Sequence, residues 1–324
     1  MENTNKATAY PDVFAELRAS VREAGLLKRV PIRGSIEMIA ILVSFVIVFT
    51  TIALWNPILL GLFMALLFTR SVFVSHDILH LQYFKSKKLS LLLSYPFSAL
   101  AITNSSSWWI FKHNENHHTY CNVPEKDEDI RAMDGAFTPN NKGNNKTLRF
   151  LKYPVFWGAM FFMYPAFIAQ SYSYVIKNKH FGELALMLLH WPIIWGLVFY
   201  LLPLGSALIT FATLYVSLSA WLSFGFITNH LGCEVFTNKE RKEMTWLEFQ
   251  MRTSRSLKGG AIVHWFYGGL NTQIEHHLFP HAPRFSLLKV QKMTKDIAQK
   301  YNMKYFETTP IEAYLQINKA LGKY

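Results

Sequence analysis

Seven of the twelve histidines in this chain fall into three tight groups: His76-Asp-Ile-Leu-His80, His113-Asn-Glu-Asn-His117-His118 and Gln273-Ile-Glu-His276-His277. An eighth, His230, follows a long apolar stretch. Imidazoles at such spacing in an apolar sequence are hard to explain as packing and read as metal ligands. On a helix, His76 and His80 are four apart and face the same way, so both can reach one ion. His113, His117 and His118 offer one shared face plus a neighbouring ring angled toward a second ion. One zinc takes about four ligands, about three of them from protein in a catalytic site, so eight imidazoles imply two metals. A lone HxxxH carries little weight; the three groups together carry the reading. Iron, copper, nickel and zinc all accept imidazole, and spacing alone does not choose among them. Soluble di-iron bundles use mainly carboxylates, so a histidine-rich centre is a different solution.

Asp77, Glu115, Asn229, Asn271 and Glu275 lie beside these histidines and could orient their ring N–H groups. Each, taken singly, fits a solvated or structural role equally well. Gln273 or Asn271 could complete the coordination directly or through water.

The elements that position these residues are membrane helices. The chain has 324 residues, is 51% hydrophobic and contains 26 Phe, more apolar than a soluble domain of this length. Four uncharged or nearly uncharged runs, about residues 38–54, 58–75, 184–202 and 206–228, read as spans. Trp55-Asn56-Pro57 and Pro203-Leu204-Gly205 join them into two hairpins with short uncharged turns. The hairpins return the chain just before His76 and just before Asn229-His230. Runs 89–103 and 153–176 are ambiguous: the first is short for a span, and the second carries Pro154 and Pro165. If all the clusters serve one site they share one face of the bilayer, and neither run crosses alone. Both therefore read as re-entrant or interfacial helices.

Residues 1–10 look disordered, and 11–29 read as an amphipathic helix. Its Phe14, Leu17, Val21 and Leu26 could lie on the membrane surface or on the catalytic domain. Arg18, Arg22, Lys28, Arg29 and Arg33 precede the first span and argue for a cytoplasmic N-terminus. The net charge of +12 suits an anionic cytoplasmic membrane surface and acidic partners, with positive-inside bias accounting for about half of it. No nucleic-acid partner is expected. Two cysteines, Cys121 and Cys233, cannot hold an iron–sulfur cluster and read as reduced thiols. The polar start shows no cleavable signal peptide. Near the C-terminus, 286–301 reads as a helix capped by Ser286, and Thr309-Pro-Ile-Glu312 is a capping box opening a last helix.

HDILH, HNENHH and GGLNTQIEHHLFPHAPR resemble the three histidine boxes of the membrane fatty acid desaturases in order and intervening hairpin, over about residues 10–320. The Gln that opens the third box is similar to the acyl-lipid and front-end branch. Members of that branch often carry a fused cytochrome b5 domain with an HPGG haem motif, which does not occur in this sequence. The resemblance implies an all-α integral membrane protein with four spans and a cytoplasmic histidine-rich di-iron cap. Residues 1–33 would be an N-terminal amphipathic segment and 34–324 the desaturase domain. It implies two Fe ions and dioxygen as co-substrate, with abstraction of hydrogen from an unactivated methylene. It also implies an acyl-lipid, acyl-CoA or acyl-carrier-protein substrate and a ferredoxin or cytochrome b5-type electron donor. His76, His80, His113, His117, His118, His230, His276 and His277 would be the catalytic ligands. Gln273, Asn271, Asp77 and Glu275 would support the metals. A bacterial inner membrane is the expected location. A hydroxylase or acetylenase of the same superfamily is one alternative, and a non-enzymatic metal transporter or bis-histidine haem protein is another.

His190 lies inside the third span and reads as a helix–helix hydrogen-bond partner. His264 could support the third box or lie at the surface, while His180 and His281 fall outside the pattern. Trp108, Trp109, Trp265, Phe266 and Tyr267 could line an acyl tunnel or form an ordinary interfacial belt. Gly268-Gly269 allow a tight turn. Lys85, Lys87, Lys88, Lys239, Arg241, Lys242 and Lys258 read mostly as solvated charges, with a phosphate or acidic donor as the functional reading.

Overall fold

Asn56, in the turn between the first two spans, caps the second: its side chain accepts from the Ile58 and Leu59 backbone N–H groups, and Pro57 occupies the first helical position. A computed structural model describes residues 10–131 and 146–323 of the chain; most of the segment expected to be disordered, 1–10, lies outside the described residues. Among the described residues nearly all regular structure is helical. Strands are confined to Ser256–Leu257 and Glu307–Thr308, which pair in parallel. The chain divides into two compact units, one made of Met1–Lys28, Lys112–Phe156 and Gly225–Tyr324, the other of Arg29–Phe111 and Trp157–Phe224.

Among the described residues four helices are long and apolar enough to cross a bilayer: Pro31–Leu54, Pro57–Leu79, Phe181–Leu201 and Leu204–His230. They match the four expected runs but extend beyond them. The first begins with a Pro turn at Pro31, and the second and fourth carry His76 and His230 on their last turns. Polar residues can continue a helix once its backbone is satisfied, so hydropathy alone underestimates its length.

Within the second unit, the second span is the inner helix: 72% of its apolar window is buried, against 17% for the first span. Ile36, Ile39, Val43, Val46 and Ile47 of the first span face outward, as lipid contact requires. Gly61 lets the second span approach the fourth, since a Cβ there would lie 2.7 Å from the Thr213 side chain. The run 89–103 breaks into the helix Lys87–Ser94 and a π-turn Pro96–Leu100. It then folds back, with Ser94 and Ser98 hydroxyls both meeting Ser106 Oγ, at 2.7 and 2.6 Å. The run 153–176 is interrupted by a 3-10 turn at Met160–Phe162, leaving a helix of 15 residues, Met163–Lys177. Neither run makes an unbroken helix of about 20 residues. His190 donates from Nδ1 to the Leu100 carbonyl at 2.9 Å, the helix–helix bond expected of it. The sequence reading missed Glu183, a buried carboxylate that accepts from the Ser106 and Ser107 N–H groups at the start of the Ser106–Trp109 helix.

In the first unit the N-terminal helix Tyr10–Glu23 packs on protein. Leu17 and Val21 are fully buried with Leu247, Met251, Ile274, Leu278 and Val290. That settles the amphipathic helix on the side of the catalytic domain. The helix expected at 286–301 runs over Arg284–Lys300, and Ser286 is not its cap. Ser286 lies inside the first turn, donating its N–H to the Pro283 carbonyl at 2.7 Å, because Pro283 already supplies the extended residue before the helix. The Thr309 box forms: Thr309 N–H donates to Glu312 Oε2 at 2.9 Å, and Glu312 N–H to Thr309 Oγ1 at 3.2 Å.

Candidate metal centre

The second histidine group sits on an unusual backbone. Ile110–His117 is a π-helix, and His118 opens the short helix that follows. The wider π turn closes i to i+5, a geometry found mostly at functional sites. It brings His113 over both His117 and His118: the His113 and His117 rings stack 5.4 Å apart, and His113 Nε2 lies 3.2 Å from His118 Nε2. The third group lies on the six-residue helix Gln273–Leu278, every residue of which is buried. His230 ends the fourth span.

These elements bring six of the eight expected histidines together in the first unit. Ring distances divide the six into two triads. His118 lies 4.7 Å from both His113 and His276. His117, His230 and His277 stand within 4.8–5.1 Å of one another. His118 and His277 stack 4.3 Å apart and join the triads. His76 and His80 form a pair in the second unit, rings 4.5 Å apart on one face of the second span. His76 Nδ1 faces Asp77 Oδ1 at 3.2 Å, and the Tyr83 hydroxyl approaches Asp77 Oδ2 at 3.2 Å.

In one triad the outer nitrogen of every ring is engaged. His117 Nδ1 donates to Asp127 Oδ2 at 3.1 Å, His230 Nδ1 to the Thr253 carbonyl at 3.1 Å, and His277 Nδ1 to Gln250 Oε1 at 2.8 Å. Each acceptor fixes the proton on Nδ1 and leaves the lone pair on Nε2. His277 Nε2 is buried with no hydrogen-bond partner among the described residues. A buried lone pair left bare costs free energy that a bound cation recovers. His117, His230, His277 and Cys121 offer ligand atoms all within 4.8 Å of one another. The donor set therefore fits a metal of the class that imidazole binds.

Electrostatics agree. Burial and the adjoining imidazoles of His118, His230, His117 and His276 push His277 well below its usual value, keeping it neutral and ready to ligate. At His117 burial opposes protonation, but the charge and hydrogen bond of Asp127 outweigh it and hold the ring above its usual value. Burial pushes the Cys121 thiol well up. Its Sγ lies 3.0 Å from His230 Nδ1, the edge of the ring that also faces Thr253.

The supporting residues fall out unevenly. Gln273 Nε2 lies 2.8 Å from His230 Nε2 while its Oε1 accepts from Asn229 at 3.2 Å, so this amide stands where the ligand lone pair points. Glu275 turns away from the rings and accepts from Ser256 and Tyr305, at 3.0 and 2.9 Å; burial raises its carboxyl to about 7. The Asn271 side chain is held by His264 Nδ1 at 2.8 Å and so braces the loop before the third box. Glu115 and His281 are exposed. Trp108 and Trp109 are buried against Phe167, whereas Trp265 and Phe266 are exposed.

Sequence reasoning missed four contributors. Asp127 also accepts from the Asn122 and Asp129 N–H groups, and Asp129 pairs with the buried Lys112. Gln250 ties two boxes together, donating to the His118 carbonyl at 2.7 Å while it accepts from His277. The acidic run 125–129 just after the second box was the available signal for the aspartates; nothing marked Gln250. Asp127→Asn keeps the shape but removes the charge facing His117. It is expected to weaken metal retention by about 10- to 100-fold with little change in unfolding temperature. A chelator-competition titration checks this, and unchanged retention would remove Asp127 from the site.

Comparison with known proteins gives the family. The family model described as "Fatty acid desaturase" matches residues 52–309. The chain belongs to the fatty acid desaturase family. It is therefore a membrane protein, as its four apolar helices indicate. It is 28% identical to an acyl-lipid (9-3)-desaturase of Physcomitrium patens over 273 residues, 80% of this chain and 51% of that one. It is 28% identical to Delta(5) fatty acid desaturase fat-4 of Caenorhabditis elegans, over 90% of this chain and 69% of that one. It is 26% identical to fatty acid desaturase 3 of Bos taurus, over 96% and 72%. The chain spans about half the length of the first curated relatives it matches, 51% and 53%.

Proposed function

We propose that this chain is a fatty acid desaturase that introduces a double bond into a long acyl chain, using dioxygen and two electrons from a ferredoxin or cytochrome b5-type donor. The observation that carries this reading is the set of three Nε2 lone pairs turned inward by Asp127, Thr253 and Gln250, within a family of desaturases. The seven histidines of the three boxes together with His230 would hold two irons, with Gln273 as a direct or water-mediated further ligand and Asp77 orienting His76. Asn271 and Glu275 support the third box from outside the rings.

When bound, the irons supply the oxidising power that no side-chain acid or base has toward an alkyl C–H bond. The balance is simple. The acyl chain gives up two protons and two electrons, the donor supplies two electrons, two further protons come from solvent, and dioxygen leaves as two waters. The residues of the chain do the rest. Asp127, Thr253 and Gln250 keep the imidazoles in the ligating tautomer. Burial of the Gln273–Leu278 helix excludes water.

The acyl chain is proposed to pass beside a small cavity in the second unit whose wall includes Val72, Ser98, Ile102, Asn104, Trp109 and Tyr164. Trp109 in its wall stands 6.5 Å from the His76 ring. Its substrate carrier is an acyl lipid, acyl-CoA or acyl-carrier protein. The catalytic face is proposed to be cytoplasmic, in a bacterial inner membrane, supported by the basic residues Arg18, Arg22, Lys28, Arg29 and Arg33 before the first span and Lys85, Lys87 and Lys88 after the second.

Expression in a host of defined fatty acid profile, with product location by mass spectrometry, tests the reading. A new carbon–carbon double bond is expected. A product that retains an oxygen-18 label would assign a hydroxylase instead, and a haem absorption band in the pure protein would overturn the centre altogether.

A further inference from the structure

Two helices of the first unit carry large apolar side chains that face outward. On Ala261–Phe266, Ile262 is 84% exposed, Trp265 54% and Phe266 42%. On Pro310–Lys323, Ile311 is 74% exposed and Leu315 62%, four residues apart on one stripe, while Ala313, Ile317 and Leu321 are buried on the other. The helices share a core. Val263 packs with Ala313, Leu257 and Tyr267, and Lys258 at the foot of the first lies close enough to Glu312 to influence its ionisation. The exposed apolar residues thus lie on two helices joined by one core, with the exposed Lys258 and Lys319 on the same segments.

This pair of helices is fastened to the end of the fourth span. The Tyr267 hydroxyl makes side-chain hydrogen bonds with Thr228 and Tyr314. Gln316 accepts from Arg255, whose guanidinium also binds the Thr228 and Leu231 carbonyls. Gly232 lies against the Gln316 carbonyl, 3.4 Å from where a Cβ would stand. The fourth span has 27 residues and rises roughly 40 Å. The hydrocarbon core is about 30 Å thick, and the polar last turn, Thr228-Asn229-His230, marks the end of this helix that leaves it for the headgroup region. Whatever is bolted to them stands at that level.

We propose that the Ile262, Trp265, Phe266, Ile311 and Leu315 face docks into the interfacial layer of the bilayer, with Lys258 and Lys319 meeting anionic headgroups. Branched aliphatics beside Trp and Phe, with lysines on the same segments, match the chemistry of that layer. The docked face holds the Gly268-Gly269 turn, and with it the Gln273–Leu278 helix, at a fixed depth beside the lipid from which an acyl chain is drawn.

The test uses the full chain in nanodiscs of phosphatidylcholine and phosphatidylglycerol, spin-labelled at Ile262→Cys or Ile311→Cys. Lys239→Cys, on the charged helix Asn238–Lys242 that buries no residue, is the water-exposed reference. Cys121 is buried and Cys233 half-buried, and the unsubstituted chain supplies their background. Labels at Ile262 and Ile311 are expected to be relaxed by dissolved oxygen and to be several-fold less accessible to a water-soluble nickel chelate than the label at Lys239. Equal nickel accessibility at all three would overturn the proposal. So would shielding from both reagents: with spin–spin broadening it would assign the face to a second copy of the chain, and without broadening to another protein surface.

Discussion

His277→Ala is expected to leave a chain that inserts and remains monodisperse, yet makes no product above background and retains far less iron than the intact protein. The reasoning is geometric. His277 is fully buried, stacks on His118 at 4.3 Å and stands 4.8 and 5.1 Å from His230 and His117. It belongs to one triad and stacks on His118 of the other, so its loss disturbs both. Its Nδ1 is held by Gln250, and its Nε2 has no hydrogen-bond partner among the described residues, so that nitrogen is available to a metal. Truncation takes nothing from the four spans, so insertion survives. His118→Ala is expected to behave alike. Iron per chain by elemental analysis and product by mass spectrometry are the readouts. Full turnover with normal iron in either variant would defeat the ligand assignment.

The features legible in the sequence were those set by strong local signals. Four apolar runs with Asn-Pro or Pro-Leu-Gly turns between them could form little but hairpins, and all four appear as helices. Thr309-Pro-Ile-Glu312 carries its cap in its own side chains and formed as read. Ser286 looked like a cap by residue type, but Pro283 fixes the extended residue three positions earlier, and a single serine cannot compete. The π-helix at Ile110–His117 was invisible because the i, i+4, i+5 pattern fits an α-helix almost as well. Only the wider turn explains how His113 reaches both His117 and His118.

The groups that aim the imidazoles were the least legible. Gln250, Thr253 and Asp127 are 10 to 27 residues from the histidines they hold. Thr253 acts through a backbone carbonyl that any residue would supply. A ligand announces itself by type and spacing. The acceptor that fixes its tautomer is defined only by where the chain returns, which is long-range information. Glu275 shows the converse: it sits beside His276 in sequence, yet it faces Ser256 and Tyr305, because successive residues of a helix point about 100° apart.

Arg255→Met is expected to lower unfolding free energy by about 2–4 kcal/mol, from two buried carbonyls left bare at about 1–3 kcal/mol each, partly relaxed, and the half-buried Gln316 amide losing its partner. Nothing in Ser254-Arg255-Ser256 marks this residue in the sequence. In the structure it is fully buried, its Nε donating to the Thr228 carbonyl at 2.5 Å, one terminal nitrogen to Gln316 Oε1 at 2.5 Å and the other to the Leu231 carbonyl. Its backbone N–H donates to the Asn229 carbonyl at 2.9 Å. The cation thus closes the C-terminal end of the fourth span, where the helix dipole is negative, and His230 lies between the two carbonyls it grips. Loss of the guanidinium loosens the turn that carries His230, a proposed ligand, so iron retention is expected to fall together with stability. Arg255→Lys separates charge from geometry. A single ammonium supplies the charge but cannot reproduce the planar fork that reaches three fixed acceptors, so it restores only part of both. Thermal unfolding in detergent and iron content of the two variants are the measurements. An Arg255→Met chain that unfolds at the original temperature with its iron intact would show that the clamp contributes to neither.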